Sequence, residues 1–193
     1  MTANSDILPI FDPIIDTFDL LRFSEPFCFS VVLALGCRHA GTSNISEHVK
    51  TVCQNEAKRL ATESLFQHQT SLASVQAMLL LAAYGEETWF AIGHSQQMAL
   101  ALELDKALPR LLGKDDTSIH STSLKERRTL MRYARVWLAL CFMEREIATG
   151  TARSSRSIRL HINDLRSFHC LSLSRASDMR LVSLTEIVQL RRM

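Results

Sequence analysis

The chain has 193 residues, of which 47% are hydrophobic and 22% charged, with a formal net charge of +2. These values are ordinary for a globular protein with a buried core, and they exclude a collagen-like or a highly charged disordered chain. The longest apolar stretches, residues 27–37 and 75–84, fall short of the roughly 18 residues that a membrane-spanning helix needs, so no membrane contact is expected.

The charge distribution indicates the kind of contact the protein makes, and the cysteines indicate its cellular compartment. Residues 1–121 carry an excess of acidic side chains and residues 122–193 an excess of basic ones. This asymmetry indicates either a surface for acidic partners or docking of one half on the other. No secretory signal begins the chain, and the cysteines are odd in number and irregularly spaced, which predicts reduced thiols in a cytosolic or nuclear protein. They are Cys28, Cys37, Cys53, Cys141 and Cys170.

Two helices are predicted in the first 40 residues. Pro13 suits the first turn of a helix, and apolar residues follow it at helical spacing: Ile14, Ile15, Phe18 and Leu21. A second helix is expected from Glu25 or Pro26 to about Ala40, with Gly41 as a left-handed C-cap. Apolar residues surround its axis, so we expect it to be largely buried.

The third helix is predicted from Asn44 to about Phe66. Asn44 and Glu47 have the spacing of a capping box, in which two side chains satisfy backbone amides at the start of a helix. The expected inward residues are Val49, Val52, Cys53, Leu60 and Leu65.

The fourth helix is predicted to start at Ser71 or Ser74 and to stop at Gly85. Residues 78–83 are apolar on every side, which is typical of a central, buried helix. The fifth helix is expected to follow at once.

The fifth helix should run from Glu86 or Glu87 to about Leu104. Acidic residues in the first turn suit the helix dipole. We expect Trp89 and Gly93 on its inward side.

The second half is predicted to hold one long helix and a weaker region. Residues 109–122 indicate a polar loop, after which Ser123 and Glu126 form a capping-box pattern and Gly150 ends the helix. Residues 151–177, rich in Ser and Arg, indicate a loop-rich segment with at most short helices. Helical periodicity returns from Asp178.

The fold class that these elements predict is all-α, a packed array of about six to seven helices without strands. Residues 1–193 are expected to form one region. Because the last helix reaches Met193 without a C-cap signal, we expect an incomplete domain, truncated at its C-terminus.

Catalytic motifs are missing from the sequence. It has no Gly-x-Ser-x-Gly elbow, no phosphate-binding Gly-rich loop and no His-Glu-x-x-His helix. The acidic pairs Glu86/Glu87 and Asp115/Asp116 are interpreted as turn and first-turn residues. We therefore expect no enzyme, and assign no catalytic, cofactor-binding or metal-binding residue and no cofactor.

Cys28, Cys37 and His39 are the nearest approach to a metal site. Structural zinc needs four ligands, usually in two close pairs such as Cys-x-x-Cys, and no such pair occurs. His94 is expected to be packed and His68 to lie on the surface. The cysteines expected to pack as small hydrophobic side chains are Cys28, Cys37, Cys53 and Cys141.

Five basic side chains lie along the sixth predicted helix: Lys125, Arg127, Arg128, Arg132 and Arg135. They could neutralise DNA phosphates, or they could form a solvated or inter-helix face while Leu130, Trp137 and their neighbours face the core. The second interpretation is favoured because no aromatic side chain is interleaved to stack on bases. No DNA-binding residue is assigned.

Three of the predicted helices carry marked residues in a characteristic order. Residues 74–82 read Ser-Val-Gln-Ala-Met-Leu-Leu-Leu-Ala, residues 88–104 contain a Trp and a Gly and end in Leu-Glu-Leu, and residues 126–138 hold Glu-Arg-Arg followed by Arg-Val-Trp-Leu. This ordered set resembles the middle homology region of fungal zinc-cluster transcription factors, over roughly residues 20–190. Two turns depart from that family: Gly150-Thr151-Ala152-Arg153 lacks its proline, and residues 103–106 replace its Gly-Leu-His-Arg.

The resemblance implies a nuclear regulatory domain that acts in transcription by RNA polymerase II and contacts co-regulators or itself. The family reads DNA through an N-terminal cluster of six zinc-binding cysteines, and no cysteine precedes Cys28 here. Zinc and DNA contact are therefore expected only through a module absent from this chain. Two alternatives stay open: a helical adaptor outside transcription, and a metabolite-sensing module with a pocket between helices.

Overall fold

The backbone is mainly helical in the computed structural model, which describes residues 8–39, 45–66, 70–85, 88–114, 123–155 and 160–191. Within these ranges it forms nine α-helices and one 3-10 turn without any strand, which confirms the all-α prediction. Two compact units are present: an N-terminal unit, Pro13–Met98, and a C-terminal unit, Ala99–Met193 with Met1–Asp12.

The N-terminal unit holds α1 (Phe18–Ser24), α2 (Pro26–His39), α3 (Glu47–Ser64), α4 (Leu72–Tyr84) and most of α5 (Thr88–Ala101). Within it, α2 packs against α1, α3 and α4. Most residues of α4 are buried, as predicted for a central helix. Its ends are fixed locally: Ser71 Oγ accepts the backbone N–H of Ser74 (3.1 Å), and Gly85 N–H donates to the carbonyl of Leu81 (2.7 Å). A Cβ on Gly85 would collide with that carbonyl oxygen, which explains the glycine.

The first helix starts later than its apolar pattern predicts. It begins after Thr17, whose Oγ1 accepts the N–H of Leu20 (3.3 Å), and Pro13 lies in a turn outside it. Of the predicted stripe, Leu21 is buried, whereas Ile14 and Phe18 are 64% and 54% exposed. A hydroxyl that caps the first turn outweighs the apolar spacing here.

The predicted inward face of the third helix is wrong in part. The N-cap is Ser46, whose Oγ accepts the N–H of Val49, and Asn44 lies outside the described residues. Val49, Val52 and Leu65 are exposed, and the buried residue in the middle of the helix is Ala57. A small residue contributes little to a hydropathy pattern.

The faces of α2 and α5 also differ from the prediction. Burial in α2 follows one face, with Val31 inaccessible and Leu33 39% exposed, so this helix is less enclosed than expected. In α5 the buried residues include Ile92 and Ser95, whereas Trp89 and Gly93 are only partly buried. Ser95 Oγ donates to the carbonyl of Val75 on α4 (3.3 Å), which orients this face of α5.

The C-terminal unit holds a 3-10 turn (Leu104–Lys106), α6 (Ala107–Leu111), α7 (Leu124–Gly150), α8 (Ile162–His169) and α9 (Ala176–Leu190). The long helix α7 packs against α9, α6 and the 3-10 turn, and α8 packs against α9 and α6. Both ends of α7 agree with the prediction. Among the helices described, none has the length and apolarity needed to cross a bilayer.

The start of the predicted loop over residues 109–122 is helical, because α6 reaches Leu111. Glu103 adopts a left-handed backbone (φ 55°) after α5 has ended at Ala101, so the predicted extension of α5 to Leu104 is wrong. Helix α6 follows with Pro109 in its first turn, where a missing backbone N–H has no intrahelical partner to lose. Leu108 is buried. Residues 115–122 lie outside the described ranges.

In the described part of segment 151–177, α8 spans Ile162–His169. Leu165 and Phe168, three positions apart on α8, are fully buried. The last helix begins at Ala176, two residues before the predicted start at Asp178.

Removing the cap of α7 is expected to destabilise the protein modestly. Ser123 Oγ accepts the N–H of Glu126 (3.2 Å), so Ser123→Ala should lower the free energy of unfolding by about 1 kcal/mol. Ser123→Asp keeps an acceptor and should stay near the wild-type value. Urea denaturation followed by circular dichroism measures both, and equal losses in the two variants would contradict the role of the cap.

Candidate functional site

A buried ion pair joins α7 to α9 in the C-terminal unit. Arg135 is 3% exposed and Asp178 is fully buried. Arg135 Nε lies 2.8 Å from Asp178 Oδ1, and Nη2 lies 2.9 Å from Oδ2. The guanidinium therefore donates a hydrogen bond to each carboxylate oxygen. Nη2 also donates to the carbonyl of Leu173 (2.9 Å). This two-pronged geometry is specific to arginine, because lysine has no planar fork.

Asp178 has a second role at the start of α9. Its Oδ2 accepts the backbone N–H of Arg175 (2.8 Å) and the hydroxyl of Ser174 (3.4 Å). One carboxylate therefore both caps α9 and pairs with the arginine of α7. Neither helix can shift without breaking these bonds.

The same polar cluster extends to the N-terminal segment. Arg175 Nη2 lies 2.8 Å from Asp12 Oδ2, and Asp12 is almost completely buried. Arg175 Nη1 also donates to the carbonyl of Phe11 (3.4 Å). Leu8 and Ile10 are also buried, so residues 8–12 are held by apolar packing as well as by this ion pair.

A shallow groove of about 590 Å³ lies beside α6 and α8 in the same unit. On α8, Arg166 contacts both carboxylate oxygens of Glu186 (3.0 and 3.4 Å). His169 Nε2 lies 3.6 Å from Cys170 Sγ. The groove thus offers amide, guanidinium, imidazole and thiol groups beside apolar walls. Its lining residues are Leu111, Leu112, Asn163, Arg166, Ser167, His169, Cys170 and Leu171.

The residues weighed as metal ligands do not come together. Cys28 is buried, and His39 makes an edge-to-face contact with Tyr84, with ring centroids 6.2 Å apart. In the described ranges, no group of three potential metal-ligating side chains occurs. Cys28 and Cys141 pack in the interior as predicted, whereas Cys37 and Cys53 stay partly exposed. The pairs Glu86/Glu87 and Asp115/Asp116, and His68, lie outside the described ranges.

The basic side chains of α7 do not form one exposed stripe. Lys125 is exposed, Arg127, Arg128 and Arg132 are partly buried, and Arg135 is inside the ion pair. The predicted core residues Met131, Ala134 and Trp137 are buried. The inter-helix interpretation therefore holds for Arg135.

His94 is partly buried, and its environment gives a pH dependence. Burial is the larger influence and lowers the pKa of His94, while a hydrogen bond to the Ser64 backbone acts in the opposite direction. A histidine with a lowered folded pKa binds fewer protons folded than unfolded. The free energy of unfolding should therefore fall as the pH drops below the ordinary pKa of 6.5. Denaturation of wild type and His94→Gln at a series of pH values tests this, and an undiminished slope in the variant would contradict it.

Sequence patterns did not reveal the partners in the buried cluster. The sequence pattern places Arg135 on a basic face and marks neither Asp178 nor Asp12 as a member of an ion pair. The available signal was Arg135 itself, a charge placed directly before the apolar run at residues 136–142. A buried arginine requires a carboxylate, but its position 43 residues away is not encoded in local spacing.

No family model, curated protein or solved structure matches this sequence.

Proposed function

We propose that the protein is a helical regulatory domain of the type found in the middle region of fungal zinc-cluster transcription factors. It acts in the nucleus on transcription by RNA polymerase II, through contacts with co-regulators or with itself. Direct reading of DNA is no part of the proposal, because the sequence holds no six-cysteine cluster.

The observation that carries the proposal is the burial, in α4 and α7, of residues that carry the resemblance to the family. Gln76 is fully buried in α4, and Trp137 is 4% exposed in α7. Arg135, two residues before Trp137, is held by Asp178. An Arg-x-Trp element is thus used as a structural unit, in which the arginine pairs with another helix and the tryptophan enters the core. The Trp89–Gly93 helix lends weaker support, because both residues are partly exposed.

The test combines localisation with a tethered reporter assay. The full chain, fused to a fluorescent tag, should accumulate in the nucleus of fungal cells. Fused to a heterologous DNA-binding module, it should change reporter output in either direction relative to that module alone. Trp137→Asp, which places a charge in the core, should abolish the change, and Lys125→Ala on the exposed start of α7 should not. Cytoplasmic retention together with a flat reporter would favour a helical adaptor outside transcription.

A metabolite-sensing role is a second candidate, favoured by the groove beside α6 and α8. A ligand that binds only the folded state raises its stability, by about 2.7 kcal/mol at a hundredfold excess over Kd. Thermal unfolding with a panel of small anionic and amphipathic metabolites would detect this rise. Arg166→Ala and Asn163→Ala should remove the shift, whereas Lys125→Ala should keep it. No shift with any compound would reject the groove as a sensor.

A further inference from the structure

One face of α3 in the N-terminal unit is exposed and carries apolar residues at both ends. Helix α3 packs against α2, and Ala57 is the buried residue in its middle. About a third of a turn around the helix from Ala57, side chains lie open to solvent at a spacing of three or four positions. These side chains, called here the α3 stripe, are Val49, Val52, Glu56, Arg59, Glu63 and Phe66.

The two ends of the α3 stripe are apolar. Val49 and Val52 are 45% and 52% exposed at the start of the helix. Phe66 follows the last turn, where its backbone N–H donates to the carbonyl of Glu63 (3.3 Å), and its ring is 85% exposed. A phenylalanine so open to water gains free energy when another apolar surface covers it.

The middle of the α3 stripe is a cluster of three charges. Arg59 Nε and Nη2 donate to the two carboxylate oxygens of Glu56 (2.8 and 2.7 Å), and Nη1 contacts Glu63. All three side chains are about half exposed, so these pairs stabilise the monomer little. Each carboxylate can accept more hydrogen bonds than it receives from Arg59, which leaves acceptors for a second molecule.

The α3 stripe is complementary to itself when one copy is reversed. Positions 49 and 66, 52 and 63, and 56 and 59 are equally distant from its middle, so two antiparallel copies bring each position against its counterpart. The resulting pairs are Val49–Phe66, Val52–Glu63 and Glu56–Arg59. A parallel arrangement would instead place Glu56 on Glu56 and Arg59 on Arg59, where like charges repel. The positions that flank the stripe carry no charge to oppose this pairing: Cys53, Asn55, Leu60 and Thr62.

We propose that the α3 stripe is a homodimer surface, through which two copies of this chain pack α3 against α3 in antiparallel orientation. Two Glu56–Arg59 ion pairs between the copies form its centre, and a Val49–Phe66 contact closes each end. One surface then serves both copies about a two-fold axis, as in most homodimers. The dimer specifies the self-contact named in the proposed function, and it rests on that function for its cellular role.

The size of the stripe limits the strength of the dimer. The 18 residues of α3 span about 27 Å. A single helix face of that length covers much less than the roughly 800 Å² per partner that stable complexes bury. We therefore expect a weak, reversible dimer with a Kd on the order of 10–100 μM, as in transient complexes. Salt should weaken it further, because the central charges are partly exposed and are screened by ions.

The experiment is sedimentation velocity of the full chain, in reducing buffer, at concentrations below and above the expected Kd. Glu56→Lys and Arg59→Glu should each raise the Kd about tenfold or more, because like charges then meet at the centre of the dimer. An equimolar mixture of the two variants should dimerise again, since each new charge faces an opposite one in the heterodimer. A monomer-based role of these charges gives no such rescue.

The apolar ends have a matched control. Phe66→Ala should raise the Kd, because it removes the ring that covers Val49 of the second copy. Phe90→Ala removes a ring of the same type that is 75% exposed on α5, outside the stripe, and should leave the Kd unchanged. Circular dichroism checks that every variant is folded.

Three results would overturn the proposal. They are a wild-type chain that stays monomeric at every concentration, which leaves the face to a different protein, a dimer indifferent to both charge changes, and a mixture of the two variants that fails to dimerise. Because purified protein is used, the outcome is separate from that of the reporter assay. A monomeric chain with an active reporter rejects the dimer alone, and a dimeric chain with cytoplasmic retention and a flat reporter rejects the role in transcription alone.

Discussion

Asp178→Asn is expected to lower the free energy of unfolding by about 3–5 kcal/mol, because it leaves the Arg135 guanidinium buried without a counter-charge. The asparagine side chain has nearly the same shape and keeps an oxygen that can accept the N–H of Arg175. The cap of α9 is therefore retained, and the measured loss reports on the ion pair. Chemical denaturation monitored by tryptophan fluorescence, with Trp137 as a reporter in α7, gives the value.

A double-mutant cycle separates the pair from its surroundings. Arg135→Met alone should also cost about 3–5 kcal/mol, because it leaves Asp178 charged in the interior. Arg135→Met combined with Asp178→Asn removes both charges, so its loss should be smaller than the sum of the single losses by about 2 kcal/mol. Additive losses would show that the two side chains do not interact as described.

An exposed ion pair in the same unit supplies the matched control. Arg166 on α8 contacts Glu186 on α9 with similar geometry, but the arginine side chain is 65% exposed. Arg166→Met should leave the free energy of unfolding almost unchanged, because water screens charges at the surface. Equal losses from Arg135→Met and Arg166→Met would contradict the importance of burial.

Helix ends were predictable where a local chemical signal exists. Ser71 begins α4 and Ser123 begins α7, because a serine hydroxyl accepts a backbone N–H within the first turn, and Gly85 ends α4. The start of α1 was misplaced because two signals compete there, Pro13 and Thr17, and only the threonine supplies an acceptor.

Helix faces were less predictable because they depend on distant partners. Val49 and Val52 have the spacing of a buried stripe, yet α3 buries Ala57. The pairing of Arg135 with Asp178 is likewise a tertiary property, since it joins α7 to the start of α9.

The residues that carry the family resemblance have mainly structural roles. Gln76, Arg135 and Trp137 are buried, so they define how helices are arranged and cannot directly select a partner. Under the proposed function, exposed groups would select the partner, such as those lining the groove beside α8. The decisive functional assays are therefore those that vary exposed residues while these three remain intact.

Phe168→Ala is expected to lower the free energy of unfolding by about 3–5 kcal/mol, because the ring is fully buried and its loss leaves a cavity. Helix α8 has 8 residues, too few to be stable alone, so it depends on its packing against α9 and α6. Because α8 forms one wall of the groove, the loss of Phe168 packing should also destabilise that wall. Amide hydrogen exchange across residues 162–171 should then be faster than in the wild type. Phe66→Ala is the control of the same residue type, since Phe66 is 85% exposed and should change stability by no more than about 0.5 kcal/mol. If the two variants were equally stable, α8 would not be anchored through Phe168, and the groove beside it would lack the rigid wall that ligand sensing requires.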